Sequence, residues 1–226
     1  LGRWDYQLAF PFQLAQRRRE LRQRSGEGAT PLAAYDWVQQ AHNALMRGDP
    51  AAAEAILAQA PAFGALQGDR HAGGGAYANA IAEQRARIAL WRGDSAAALA
   101  VLPLPYGLDA NEDRSEPTLA PYALRGEVLC AAGRAGDGLP HLEATLSALA
   151  PQLSPAAPAL ARLRAVAGSC ALALGQRAQA LALAEQARAG FAAQPGVSAW
   201  YRRPLLGLDA ALASRRSAEG PGVRPG

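Results

Sequence analysis

Apolar residues recur along this chain at helical spacing, in blocks closed by Gly, Asp or Pro. From Pro31 the positions Tyr35, Trp37, Val38, Ala41 and Leu45 predict an amphipathic helix that runs to Arg47. Pro31 suits a first helical turn, where its missing N–H is not needed, and Thr30 suits the cap before it. Gly48 ends the helix, Asp49 caps the next one and Pro50 starts it. The second helix carries Ala53, Ile56, Leu57 and Ala60 and stops at Pro61. The same reading predicts helices over 76–92, 96–102, 119–132, 136–149, 156–174 and 177–193. A last one over 197–214 has Trp200, Leu205, Leu208 and Leu212 on its apolar side, with Pro204 either kinking it or marking its start. Between these lie expected loops at 25–30, 63–75 and 106–117, and a Gly/Pro/Arg tail from Ser217. Ala and Leu dominate the apolar half of the composition, aromatics make up 6%, and no Val/Ile/Thr/Tyr-rich run appears, so the fold class expected is all-α.

The turn phrase repeats. ALMRGDPAAAEAIL, IALWRGDSAAALAVL, the stretch around Gly133 and the stretch around Gly175 each read helix, glycine, helix. The turn glycines at 48, 93, 133 and 175 are separated by 45, 40 and 42 residues. A period of this size marks stacked helical hairpins, since one hairpin cannot bury its apolar face alone. Small residues recur with the same register. Ala41, Ala86, Gly126 and Gly168 stand seven positions before the turns, and Ala53, Ala98, Gly138 and Ala180 five after. Small side chains at both places let the two helices of a hairpin approach closely.

With its turn glycine and paired small positions, residues 31–193 resemble the tetratricopeptide repeat. The resemblance implies a right-handed α-solenoid with a C-terminal capping helix. The period exceeds the family's usual thirty-four, the closing proline is clear only at Pro61, Pro151 and Pro195, and Gly138 weakens the third unit. The degenerate repeat is similar to the helical-repeat regions of bacterial Ser/Thr kinases and transcriptional activators. The domain reading is an N-terminal helix or linker with an Arg-rich run (1–30), the repeat array (31–215) and a flexible tail (216–226).

Composition narrows the chemistry. Net charge is +4, and all 23 basic residues are arginine. Without lysine there is no Schiff base and no GK[ST] phosphate loop. The Gly-rich stretch GDRHAGGG follows no apolar strand and reads as a plain loop. His42, His71 and His141 have no second ligand at helical spacing, no serine sits in GxSxG, and no metal or cofactor is expected. Glu54, Glu127 and Glu185 read as solvent-facing helix residues, and Cys130 and Cys170 as unpaired thiols in apolar helices, because their registers, three and five before the turn, are not equivalent. Trp4, Tyr6, Phe10 and Phe12 precede the Arg17–Arg24 cluster, which reads as a solvated face rather than a nucleic-acid site. No run of eighteen apolar residues is present, so no transmembrane segment is expected. Leu1 in first place reads as a fragment or a processed product, and the compartment expected is cytoplasmic, or periplasmic if a signal or membrane segment precedes Leu1.

The resemblance places the concave groove along the first helix of each hairpin. Six and ten positions before the turns stand His42 and Val38, Arg87 and Glu83, Glu127 and Ala123, Ser169 and Ala165. With Tyr35, Trp91 and Arg162 nearby, the candidate groove is Tyr35, His42, Glu83, Arg87, Trp91, Glu127, Arg162 and Ser169. The function expected is non-catalytic binding of a protein or peptide segment, with a small ligand as the lesser alternative, in a scaffold or sensor region of a larger bacterial signalling protein. The rivals are the regulatory region of a transcriptional activator and an enzyme with an unrecognised site.

Overall fold

A computed structural model describes residues 31–60, 73–102 and 116–218, with side chains for 36–60, 77–102 and 119–215. The readings made for 1–30, for most of the loops at 63–75 and 106–117, for His71, for Thr30 as a cap and for 219–226 lie outside the described residues. Among the described residues there are nine α-helices and no strand. They are α1 Pro31–Met46, α2 Pro50–Ala58, α3 Gly73–Arg92, α4 Ser95–Val101, α5 Glu116–Ala131, α6 Ala135–Leu149, α7 Pro158–Ala173, α8 Arg177–Ala192 and α9 Ala199–Ala218. Two starts are earlier than the pattern predicts. α3 takes in Gly73–Gly75, and α5 takes in Glu116–Thr118.

The four turns close alike. Gly48 has φ +83°, a left-handed conformation that a Cβ would strain. Its amide donates to the Leu45 carbonyl at 2.9 Å, and the Asp49 amide donates to the Ala44 carbonyl at 3.0 Å. Those two bonds satisfy carbonyls that the helix end leaves open. Gly93, Gly133 and Gly175 repeat the positive φ and the pair of bonds. After the first two turns the cap also recurs: Asp49 accepts from the Ala52 amide at 2.8 Å and Asp94 from the Ala97 amide at 2.9 Å. Arg134 and Gln176 occupy the same place without a side-chain cap bond.

The chain divides into two compact units, Leu1–Leu108 with Ser198–Trp200, and Asp109–Val197 with Tyr201–Gly226. In the first, α1 pairs with α2 and α3 with α4, while α1 and α2 both pack on α3. Val38 of α1 and Tyr77 of α3 are buried together there. In the second, α5 pairs with α6 and α7 with α8, while α5 and α6 both pack on α7. Leu205, Leu208 and Leu212 of α9 are buried, and Leu208 lies against Gly168. Pro204 sits inside α9, as Pro121 does in α5 and Pro140 in α6.

Small residues do set the helix approaches. Ala53, Ala98 and Ala180 are fully buried. A Cβ on Gly168 would come within 3.4 Å of the Ala180 carbonyl oxygen. Gly138 does not weaken its hairpin. A Cβ there would lie 2.7 Å from the Gly126 carbonyl oxygen, and a Cβ on Gly126 would lie 2.9 Å from the Gly138 carbonyl oxygen. The two bare backbones touch where α5 crosses α6.

The cysteine expectation is overturned. Cys130 of α5 and Cys170 of α7 form a disulfide, with Cα atoms 5.4 Å apart. The reason is geometric. In a stack, one helix meets its successor with opposite sides, so contacting positions should differ in register. Two residues rotate a helix by about 200°, which turns equivalent helices face to face at Cys130 and Cys170. Gly138 makes room here too, since a Cβ on it would meet the Cys130 sulfur at 2.6 Å.

Candidate functional site

The first helices of each unit carry polar side chains that are partly withdrawn from water. In the first unit Gln40 is fully buried, Asn43 is 3% exposed and Gln84 is 7% exposed. Gln39 Nε2 donates to Asn43 Oδ1 at 3.1 Å, and His42 Nδ1 lies 3.4 Å from Gln84 Oε1, a contact between α1 and α3. Both amide atoms of Gln40 and the Asn43 Nδ2 are buried without a hydrogen-bond partner. These three amides were missed in the sequence, because Gln and Asn inside an Ala-rich helix look like surface residues. In α1 the available signal was the spacing of Gln39, Gln40 and Asn43 at three to four residues; Gln84 of α3 carried none.

Arg87 and Glu83 pair along α3 at 3.4 Å, with side chains 12% and 17% exposed. Burial pushes the Glu83 carboxyl above its ordinary range, and the neighbouring Arg87 guanidinium opposes that rise. Trp91 is half-buried and stacks on Trp200 within the first unit, with ring centroids 5.8 Å apart. Tyr35 lies in α1, and its side chain is outside the described set.

In the second unit Glu127 of α5 and Arg162 of α7 pair at 2.6 Å, each side chain 16% exposed. Glu127 is therefore not the solvent-facing residue that its helix position suggested. The bond joins successive first helices, as the His42–Gln84 contact does in the first unit. Ser169 Oγ donates back to the Ala165 carbonyl in its own helix at 3.1 Å. Arg87 and Glu127, placed in equivalent register, belong to different units and each pairs with another residue. The position ten before the turn is not uniformly surface: Val38 and Ala165 are core, while Ala123 and Glu83 are half-buried.

A second feature lies on a different stripe of α3. Arg85, Ile88, Ala89 and Arg92 face a pocket of about 350 Å³, which α2 and α4 close with Leu57, Glu54 and Val101. Arg92 holds Glu54 through both carboxylate oxygens, at 3.2 and 2.6 Å. That pairing lowers the Glu54 carboxyl and raises the Arg92 guanidinium from their ordinary values. Among the described residues no three His, Cys, Asp or Glu side chains come together to hold a metal ion, and no helix is long and apolar enough to cross a membrane.

No family model, curated protein or solved structure matches this chain.

Proposed function

We propose that the chain is a non-catalytic binding module: a right-handed, tetratricopeptide-like stack of hairpins that recognises a protein or peptide segment along its first helices, as a scaffold or sensor part of a larger bacterial signalling protein. The observation that carries this reading is the half-buried Glu127–Arg162 pair bridging α5 and α7. Desolvated charge held between successive helices adds little to stability even when it is well paired, and in this reading the pair serves directional recognition. Arg87–Glu83 supplies a second partly withdrawn pair, within α3 of the first unit. The candidate binding residues are Tyr35, His42, Glu83, Arg87 and Trp91 in the first unit and Glu127, Arg162 and Ser169 in the second. The Cys130–Cys170 disulfide supports an oxidising compartment, the periplasm rather than the cytoplasm.

The test is selection of a random peptide display library on the immobilised chain, followed by fluorescence anisotropy with the enriched peptides. Binding should fall by about tenfold or more in Arg162→Ala and in Arg87→Ala, since charge-assisted hydrogen bonds carry about 1.5–3 kcal/mol. The charge-swapped double variant Glu127→Arg with Arg162→Glu keeps an ion pair and should change which peptides are enriched. Enrichment no better than on a blank surface, or peptides whose affinity none of these variants alters, would rule the reading out.

A further inference from the structure

The pocket between α2, α3 and α4 has an unusual balance of charge. Its floor is apolar, with Leu57 and Ile88 each 4% exposed, and Val101 stands at the rim 37% exposed. Four charged residues line it, and three are already engaged. Glu54 and Arg92 hold each other, and Asp94 accepts the Ala97 amide as the cap of α4. Arg85 is exposed, and among the described residues no carboxylate pairs with it. The pocket thus offers one planar cation beside an apolar floor.

We propose that this pocket binds a polypeptide C-terminus ending in an aliphatic residue. The guanidinium fork of Arg85 matches a carboxylate with two parallel hydrogen bonds. Leu57, Ile88 and Val101 receive the aliphatic side chain, and burying such a side chain is the hydrophobic part of the affinity. The volume lies at the small end of ligand sites, of which the usual range begins at about 300 Å³, and so suits one residue and its carboxylate better than a nucleotide or an acyl chain. Glu54 and Asp94 in the same lining repel a dianion, which disfavours phosphate. This site uses a different stripe of α3 from the Arg87 surface and does not rest on the function proposed above.

The test uses the whole chain labelled with ¹⁵N and three probes: N-acetyl-Ala-Ala-Leu as the free acid, the same peptide as its C-terminal amide, and hexanoate. The free acid should shift the amides of Ala89, Ala97 and Val101. The amide should bind about tenfold more weakly or worse, because a charge-assisted bond is lost. Arg85→Gln, an exposed substitution, should remove the preference for the acid without changing the helical spectrum, and Val101→Glu should weaken the acid by repulsion. The assignment is overturned if acid and amide bind alike, if Arg85→Gln titrates like the wild type, or if no amide around the pocket moves. Hexanoate binding as tightly as the peptide would also overturn it, since the site would then take carboxylates rather than chain ends.

Discussion

Glycine carries two opposite duties in this chain, and substitution separates them. At Gly138 an added Cβ would meet backbone on two sides, the Gly126 carbonyl oxygen at 2.7 Å and the Cys130 nitrogen at 3.0 Å. Backbone cannot rotate away as a side chain can, so Gly138→Ala should force α5 and α6 apart and cost about 1–3 kcal/mol. At Gly207, inside α9, a Cβ meets nothing within 4 Å. Gly207→Ala should therefore stabilise by about 0.4–1 kcal/mol, by restricting the unfolded chain. Urea midpoints of the two variants moving in the same direction would contradict this contrast. A second residue-level effect concerns acid. Burial, helped by the charge of Arg125, lowers the His141 imidazole from its ordinary 6.5, with Asp137 opposing. The folded state then binds this proton less readily than the unfolded state does. Stability should climb as pH rises toward 6.5 and level off above it, through this group alone. The difference between wild-type and His141→Gln stability curves isolates that contribution, and a difference curve flat from pH 5 to 7 would deny it.

At the scale of the helix, the caps give the cleanest measurement. Asp49 and Asp94 each accept the amide three residues on, at helix starts with no acidic residue in the first turn. Asp49→Ala and Asp94→Ala should each cost about 1 kcal/mol, whereas Asp49→Asn and Asp94→Asn should cost little, because the amide oxygen still accepts. Equal losses in the Ala and Asn variants would mean that charge, not the hydrogen bond, does the capping. These turns were legible in the sequence because they are local: a glycine that must take positive φ, followed by a cap residue, needs no partner elsewhere in the chain. Helix ends followed for the same reason, within a few residues. What could not be read depends on facing elements. The Cys130–Cys170 bond required knowing which sides of α5 and α7 meet, and comparison of equivalent registers pointed the wrong way. The Glu127–Arg162 pair spans 35 residues, and nothing within either helix marks the two as partners. Gly138 looked like a defect in a motif because the backbone it touches, at Gly126, lies in the neighbouring helix. Val38 at a nominal groove position became core once Tyr77 of α3 lay against it.

For the molecule as a whole, the disulfide makes the two units unequal. Stacked hairpins draw their stability from each helix pair and from its immediate neighbours, so a covalent link acts chiefly on the pairs it joins. Both cysteines lie in the second unit, where the bond ties α5 to α7 across 40 residues of chain and α6 lies in the loop so closed. Closing a loop of that length restricts the unfolded chain by the equivalent of about 4 kcal/mol in the entropic account. Neither α1–α2 nor α3–α4 contains a cysteine. Reduction should therefore open the second unit preferentially. In hydrogen exchange with and without a phosphine reductant, amides of α5, α6 and α7 should lose protection, while those of α1 and α3 keep theirs. The double variant Cys130→Ala with Cys170→Ala should reproduce the reduced pattern in the absence of reductant, which separates loss of the bond from any other effect of the reagent. Intact mass before and after reduction should differ by about two daltons, the two hydrogens gained when one disulfide becomes two thiols. Equal masses would show that the thiols are free in solution. Protection lost evenly across α1, α3, α5 and α7 would show instead that the units unfold together, and the disulfide would then set the stability of the entire chain.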